Sequence, residues 1–332
     1  MKRWLSEAWY NDSFLVKLLL PLSWLFGAVA VRKRQQALHN QWQAGVPVIV
    51  VGNITAGGTG KTPVCVALAQ HFIAQGKRVV VISRGYGGYS TQYPVVVTTG
   101  SDPAKVGDEP VLMARQSACA VVVDPVRVRA AKLAVAQLQA EIIISDDGLQ
   151  HYALARTIEI AVIDGARGLG NQLLLPAGPL REPTARLQTV DYVIVNGPLQ
   201  RPFAAPIKQQ VALQLQPGNL VNLVNGEQLS PAQWLQRHGA TRTVHAVAGI
   251  GNPARFFASL QQLGFVIMPH AFDDHHAYQP TDLTFAADAA VVMTMKDAVK
   301  CQRFASPHWW ALDVAAVLPA DFLMDLENRI AC

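Results

Sequence analysis

Short apolar runs alternate with stretches of helical spacing along most of the chain. Pro47-Val48-Ile49-Val50-Val51, Arg78-Val79-Val80-Val81-Ile82, Cys119 to Val123, Glu141 to Ser145 and Thr157 to Ile163 each read as a strand buried on both faces. A helical pattern runs from Pro63 to Gln75, where Gly76 stops it, and a second, rich in Ala and Gln, from Val126 to Gln139. Strands joined through helices pair in parallel, because such a crossover returns the chain to the same end of the sheet. The expectation is an α/β fold: a mostly parallel sheet with helices on both faces and a ligand at the carboxyl ends of its strands.

The alternation restarts beyond residues 197 to 207, which contain three prolines and read as a linker. Thr243 to Ala248, Phe265 to Met268 and Ala289 to Met293 are strands, Asn252-Pro253 opens a helix as N-cap and first turn, and Pro319 to Ile330 is a closing helix.

Phe14 to Val31 breaks the pattern. It is almost wholly apolar, interrupted by Lys17 and Pro21 and flanked by Lys2-Arg3 and Arg32-Lys33-Arg34. As a helix it is roughly 27 Å long, marginal against a hydrocarbon core of ~30 Å. A cleaved leader ending at Ala28-Val29-Ala30 is disfavoured by Glu7 and Asp12 in what should be a basic region, and by Lys17 in the apolar one. An amphipathic core helix is a further alternative. The expected reading is an interfacial helix, with Trp4, Trp9, Tyr10 and Trp24 at headgroup depth and cationic ends on anionic lipid.

At 332 residues, 51% hydrophobic and 15% charged, the chain is long and apolar enough for two cores, which excludes general disorder. The net charge of +5 is scattered outside the N-terminus, so no basic stripe is present to grip nucleic acid. An anionic small molecule or a lipid surface is the expected partner. Cys65, Cys119, Cys301 and Cys332 stand apart with no C-x-x-C pair, which points to a reducing compartment without structural zinc.

The first strand runs into Asn53-Ile54-Thr55-Ala56-Gly57-Gly58-Thr59-Gly60-Lys61-Thr62, and a helix follows. A glycine-rich turn between strand and helix points backbone N–H groups and a helix dipole at one hollow, so a nucleotide polyphosphate fits there. Lys61 would reach the β/γ-phosphates and Thr62 would hold Mg²⁺. Thr55 stands where the strict phosphate-loop pattern has its first glycine, and Ala56 where ParA/MinD-type ATPases carry a second lysine.

Ile142-Ile143-Ile144-Ser145-Asp146-Asp147 has the form of a Walker B element, with one acid expected to ligate Mg²⁺ directly and the other through water. Val106-Gly107-Asp108-Glu109-Pro110 puts two acids at a helix start, a form that capping and the helix dipole explain by themselves. Phe272-Asp273-Asp274-His275-His276 resembles the DHH phosphoesterase string without that family's other acids, and adjacent histidines cannot share one face. An orienting or proton-handling role is favoured over a metal centre. Arg84, Arg127, Arg129 and Arg181 follow strands or lie in glycine-proline loops, where a guanidinium can fork onto phosphate oxygens.

These pieces in this order resemble the tetraacyldisaccharide 4′-kinase family, the lipid A 4′-kinases of Gram-negative bacteria, over nearly the whole chain. Thr55 agrees, since that family uses a small hydroxyl residue there. Gln172 departs from an expected glycine after Gly170-Asn171, and Met295 from a glutamate in Thr294-Met295-Lys296-Asp297-Ala298. The resemblance implies ATP- and Mg²⁺-dependent phosphorylation of an acylated glucosamine disaccharide 1-phosphate lipid at its 4′-hydroxyl. The enzyme would sit peripherally or monotopically on the cytoplasmic face of the inner membrane.

It further implies that Thr55 to Thr62 cradle ATP, that Lys61, Thr62, Asp146 and Asp147 handle phosphoryl and metal charge, and that Asp108 accepts the hydroxyl proton with His275 as partner. Arg84, Tyr86, Arg127, Arg129, His151, Arg181 and Glu182 are implied to face the substrate. The organisation implied is a membrane-associated helix over 1–31, a P-loop domain over 32–196, the linker 197–207, and a second, smaller α/β domain over 208–332 closing over the site. The alternatives are a membrane-attached P-loop switch or metallochaperone NTPase, which has no need of Asp108 and His275, and a soluble small-metabolite kinase, against which the apolar helix argues.

Overall fold

In the computed structural model the residues described are 7–11, 13–202, 207–239, 243–286 and 289–331. The first part of the chain forms α1 (Leu20–His39), β1 (Val48–Gly52), α2 (Lys61–Ala74), β2 (Val79–Ser83), β3 (Val95–Val97), α3 (Asp108–Ser117), β4 (Ala120–Val123), α4 (Arg127–Ala136), β5 (Ile142–Asp146), β6 (Ile158–Asp164) and β7 (Tyr192–Asn196). The rest forms β8 (Gln210–Asn222), β9 (Gln228–Leu229), α5 (Pro231–His238), β10 (Thr243–Ala248), α6 (Pro253–Gln262), β11 (Val266–Ala271), β12 (Val291–Thr294), α7 (Met295–Cys301), β13 (Trp309–Val317) and α8 (Ala320–Ala331).

All five residues of β1 are buried, as expected of a central strand. Val48 and Val50 pack into one apolar cluster and Ile49 and Val51 into another, so helices cover both faces. β1 pairs in parallel with β5 and β6. Val51 is in register with Asp146, so the glycine-rich loop leaves β1 beside the acidic end of β5.

One path of hydrogen-bonded strands runs β11-β10-β12-β13-β8-β7-β6-β1-β5-β2-β4-β3. The long strand β8 joins its halves. Gln210 to Leu213 pair in parallel with β7, and Gln214 to Asn222 pair antiparallel with β13, with a register shift between Leu312 and Val314. Residues 197–207 connect β7 to β8, and 203–206 of them lie outside the described residues.

α8 comes back from the second half onto the first. Phe322 and Leu326 join the core of α2 and β1, the Tyr192 hydroxyl donates to Asp325 at 2.5 Å, and His71 lies 2.7 Å from Glu327. The chain end therefore straps the two halves together.

The N-terminal helix differs from the expectation in two respects. It does not stop at residue 31, because a 3-10 stretch over Phe14–Leu19 leads into α1, which runs to His39 through Arg32-Lys33-Arg34. Trp9 is buried and its indole N–H donates to the Pro176 carbonyl at 3.0 Å, so it is packed into protein instead of standing at headgroup depth. Trp4 lies outside the described residues. α1 touches the body through a narrow stripe: the Ser23 hydroxyl donates to the Leu174 carbonyl at 2.9 Å, and a Cβ on Gly27 would stand 2.7 Å from Leu174 Cδ1. Phe14, Leu18, Leu22, Trp24 and Leu25 are exposed.

Candidate active site

The loop after β1 is stitched on one side and glycine-dependent on the other. Thr55 forms an antiparallel bridge with Leu180, and Ala56 N–H donates to the Pro179 carbonyl at 2.7 Å. Paired backbone of this kind accepts a side chain, which is why Thr55 serves where the strict pattern has glycine. Gly57 and Gly60 sit at φ 100° and 95°. Gly60 is also crowded, since a Cβ there would meet Asn196 Nδ2 at 2.4 Å, the same nitrogen that donates to the Thr59 carbonyl at 3.0 Å. α2 begins at Lys61 and presents its N-terminus to the hollow.

The two acids after β5 diverge. Asp146 is buried and accepts from the Ser83 hydroxyl at 2.9 Å; burial, with the charges of Glu109 and Asp147, pushes its carboxyl up to about 6. Asp147 takes φ 48°, which turns it out of the strand. Its carboxylate lies 3.4 Å from Lys61 Nζ and 3.0 Å from Arg181, and despite burial these cations hold it well below the usual carboxylate range.

Asp108 opens α3 and is 5% exposed. His275 Nδ1 lies 3.2 Å from each of its carboxylate oxygens, His275 being held at φ 62° with its ring centroid 4.9 Å from that of Tyr86. Burial opposes ionisation of Asp108, but the His275 hydrogen bond, Lys296 and Lys300 outweigh it and bring the carboxyl down to about 2. Burial likewise opposes the imidazolium, yet the Asp108 hydrogen bond prevails and His275 is raised above the ordinary histidine value. His276 turns away and lies 3.0 Å from Asp282.

Two cavities flank these groups. One, of about 260 Å³, is lined by Gly58 to Thr62, Asp164 and Asn196 from the first half and by Ile250 to Asn252, Arg255, Phe256 and Lys296 from the second. The other, of about 950 Å³, lies between Phe26, Ala30, Lys33 and Arg34 of α1 and Arg127, His151, Tyr152, Arg181, Glu182 and Arg186 of the body. Lys61 lines the first and Arg181 the second, and Asp147 binds both. A polyphosphate in one cavity and an amphipathic anion in the other would meet at that carboxylate.

A family profile for tetraacyldisaccharide-1-P 4′-kinase matches residues 15–331. The chain belongs to the tetraacyldisaccharide 4′-kinase family. It is 45% identical to the tetraacyldisaccharide 4′-kinase of Alcanivorax borkumensis over 329 residues, covering 99% of this chain and 98% of that one. It is 44% identical to that of Pseudomonas aeruginosa, over 98% and 96% of the two chains. A crystal structure of LpxK from Aquifex aeolicus in complex with ATP superposes with a TM-score of 0.79 at 29% identity, covering 96% of this chain and 99% of that one.

The arginines implied by the family resemblance have different surroundings. Arg127 is buried and donates to the Asp124 and Asp146 carbonyls at 3.0 Å each, and burial lowers it to about 10. Arg129 forks onto the Asp124 carboxylate at 2.7 and 2.9 Å and lines neither cavity. Arg84 is exposed, and its charge bears on Arg127 and His151. Burial and the Arg127 charge depress His151 to about 4. Glu182 is buried and accepts from Gln150 at 2.6 Å and from the Tyr152 hydroxyl.

The departures from the tetraacyldisaccharide 4′-kinase pattern have local explanations. Gln172 sits at φ 60°, the left-handed region that glycine occupies without strain. Met295 lines the smaller cavity and packs against apolar neighbours. Sequence reasoning missed Arg167, which donates to the Gly58 carbonyl, Asn196 and Lys296. Arg167 and Asn196 each follow an apolar strand run at a glycine turn, a signal available in the sequence; Lys296 had none beyond its motif.

Proposed function

We propose that the protein transfers the γ-phosphoryl group of ATP to the 4′-hydroxyl of a tetraacylated glucosamine disaccharide 1-phosphate, a step of lipid A biosynthesis. The observation that carries this reading is the Lys61–Asp147–Arg181 junction, where a cavity rimmed by a phosphate loop meets one walled by an apolar, cationic helix. ATP fits the smaller cavity, with its phosphates on the N–H groups of Gly57 to Thr62. The sugar headgroup fits the larger, beside His151, Arg181 and Glu182, and the acyl chains follow α1 to the lipid surface. The side of the membrane proposed is the cytoplasmic one, where ATP is available.

The Mg²⁺ that such kinases use finds suitable residues here. Thr62, Asp146 and Asp147 supply only oxygen donors, and Mg²⁺ commonly needs no more than one or two carboxylates beside the nucleotide phosphates. When bound it would neutralise charge on the transferring group. Lys61 holds the β/γ-phosphates, and Arg181 keeps Asp147 ionised beside it. Asp108 accepts the hydroxyl proton while His275 orients it, and because phosphoryl transfer is loose, alignment of the nucleophile matters more than basicity. Residues 208–332 act as the domain that closes onto the P-loop half.

Incubation with γ-labelled ATP and tetraacyldisaccharide 1-phosphate in detergent tests this. Label moving to the lipid supports the kinase. Release of label as inorganic phosphate at the same rate with and without lipid would favour the nucleotide-driven switch instead.

A further inference from the structure

Lys296 belongs to α7 in the second half of the chain, yet its ammonium sits among groups from both halves. Nζ lies 2.9 Å from Glu109 Oε1 on α3, 3.0 Å from Asp274 Oδ1, and 3.3 Å from His275 Nε2. It is 14% exposed, and the carboxylates around it raise its proton affinity, so it stays charged. An ammonium has three donors and no acceptor. Nε2 of His275 can face it at that distance only as an acceptor.

We propose that Lys296 is the positioning residue of the Asp108–His275 pair, fixing His275 in the tautomer that carries its proton on Nδ1 and aims it at Asp108. This inference rests on the proposed role of that pair. Nδ1–H then donates to the Asp108 carboxylate and fixes its orientation, and Nε2 is committed to Lys296. His275 therefore orients Asp108 and does not relay its proton, because the nitrogen facing Asp108 already holds one. Protonating Nε2 would set an imidazolium N–H against an ammonium, so Lys296 also resists formation of the imidazolium. Of the three contacts, the one to Glu109 crosses to the first turn of α3, beside the His275–Asp108 contact, so Lys296 also links the halves next to the pair.

The groups facing His275 are Asp108 and Glu109 on α3, Lys296 and, through Asp108, Lys300 on α7, Tyr86 after β2, and Asp274 and His276 beside it in the chain. Removing Lys296 leaves the anionic ones unbalanced. A charged His275 would weaken the Asp108 carboxylate as a proton acceptor, so the acid limb of activity is expected to follow His275 and to move to higher pH when Lys296 is removed.

The test is the pH profile of kcat at saturating ATP and tetraacyldisaccharide 1-phosphate for the wild type, Lys296→Met, Lys296→Arg and His275→Ala. The limb is expected to move up by about one pH unit in Lys296→Met, the size of effect a neighbouring charge exerts, and to stay within a few tenths of a unit in Lys296→Arg. An unmoved limb in a folded Lys296→Met, or equal shifts in both variants, overturns the inference while leaving the pair intact. A wild-type limb that survives unchanged in His275→Ala overturns the role of the pair itself, and this inference with it. Should Lys296→Met fail to fold, ring-nitrogen NMR of labelled wild-type protein decides: at a pH high enough for the ring to be neutral, a proton on Nε2 instead of Nδ1 contradicts the assignment.

Discussion

His275 Nδ1 stands 3.2 Å from both carboxylate oxygens of Asp108, a residue 167 positions earlier in the chain. An acid at the start of α3 suits the helix dipole, but the α3 start needs no histidine. If they act as a unit, Asp108→Ala and His275→Ala should each lower kcat by roughly 10²–10⁴-fold, and the double variant should be little worse than the worse single one. Strictly multiplicative losses in steady-state assays would count against a shared function.

Lys61 offers a sharper contrast between stability and activity. It lines the smaller cavity and pairs with Asp147, which Arg181 also holds. Lys61→Ala should lower kcat by about 10²–10³-fold, the cost of removing one preorganised charge from a transferring group, with little change in thermal unfolding. Near-normal turnover would show that the nucleotide phosphates lie elsewhere.

Much of this was legible in the sequence because the site stands at strand ends. Val48 to Val51 and Ile142 to Ile144 are apolar without interruption, so the loop and the acidic pair had to fall at the same edge of one sheet. The course of β8 was not legible. Gln210 to Asn222 carries Pro217 and Gly218 and pairs with partners on different sides at its two ends, so no single periodicity marks it as one strand. Lys296 escaped for a related reason: its partners come from α3 and from the loop after β11, and only the tertiary fold brings these together.

The apolar helix should divide into a protein face and a lipid face. Leu22, Trp24 and Leu25 are exposed, so Leu22→Gln with Leu25→Gln should leave stability unchanged but weaken binding to anionic vesicles about tenfold or more, given the transfer energy of large apolar side chains. Gly27→Leu should instead pry α1 off Leu174, because even a Cβ there would stand 2.7 Å from it. Sedimentation with vesicles checks the first and limited proteolysis the second.

Asp108 also makes stability depend on acidity. Its folded-state value of about 2 lies below that of an unfolded aspartate, so it contributes stability that is present above about pH 4 and is lost as pH falls toward 2. The contribution is about 2 kcal/mol, and urea midpoints should fall less between about pH 5 and 3 in Asp108→Asn than in the wild type. Parallel slopes for the two proteins would contradict the strongly depressed carboxyl.

The most direct test of the central claim is where the phosphate goes. Phosphorus NMR and mass spectrometry of the lipid recovered after reaction with ATP should show one new phosphate monoester on the 4′-carbon. A 4′-deoxy analogue should accept none and should not speed ATP consumption. A product phosphorylated elsewhere, or equal ATP turnover with the deoxy analogue, would contradict the account.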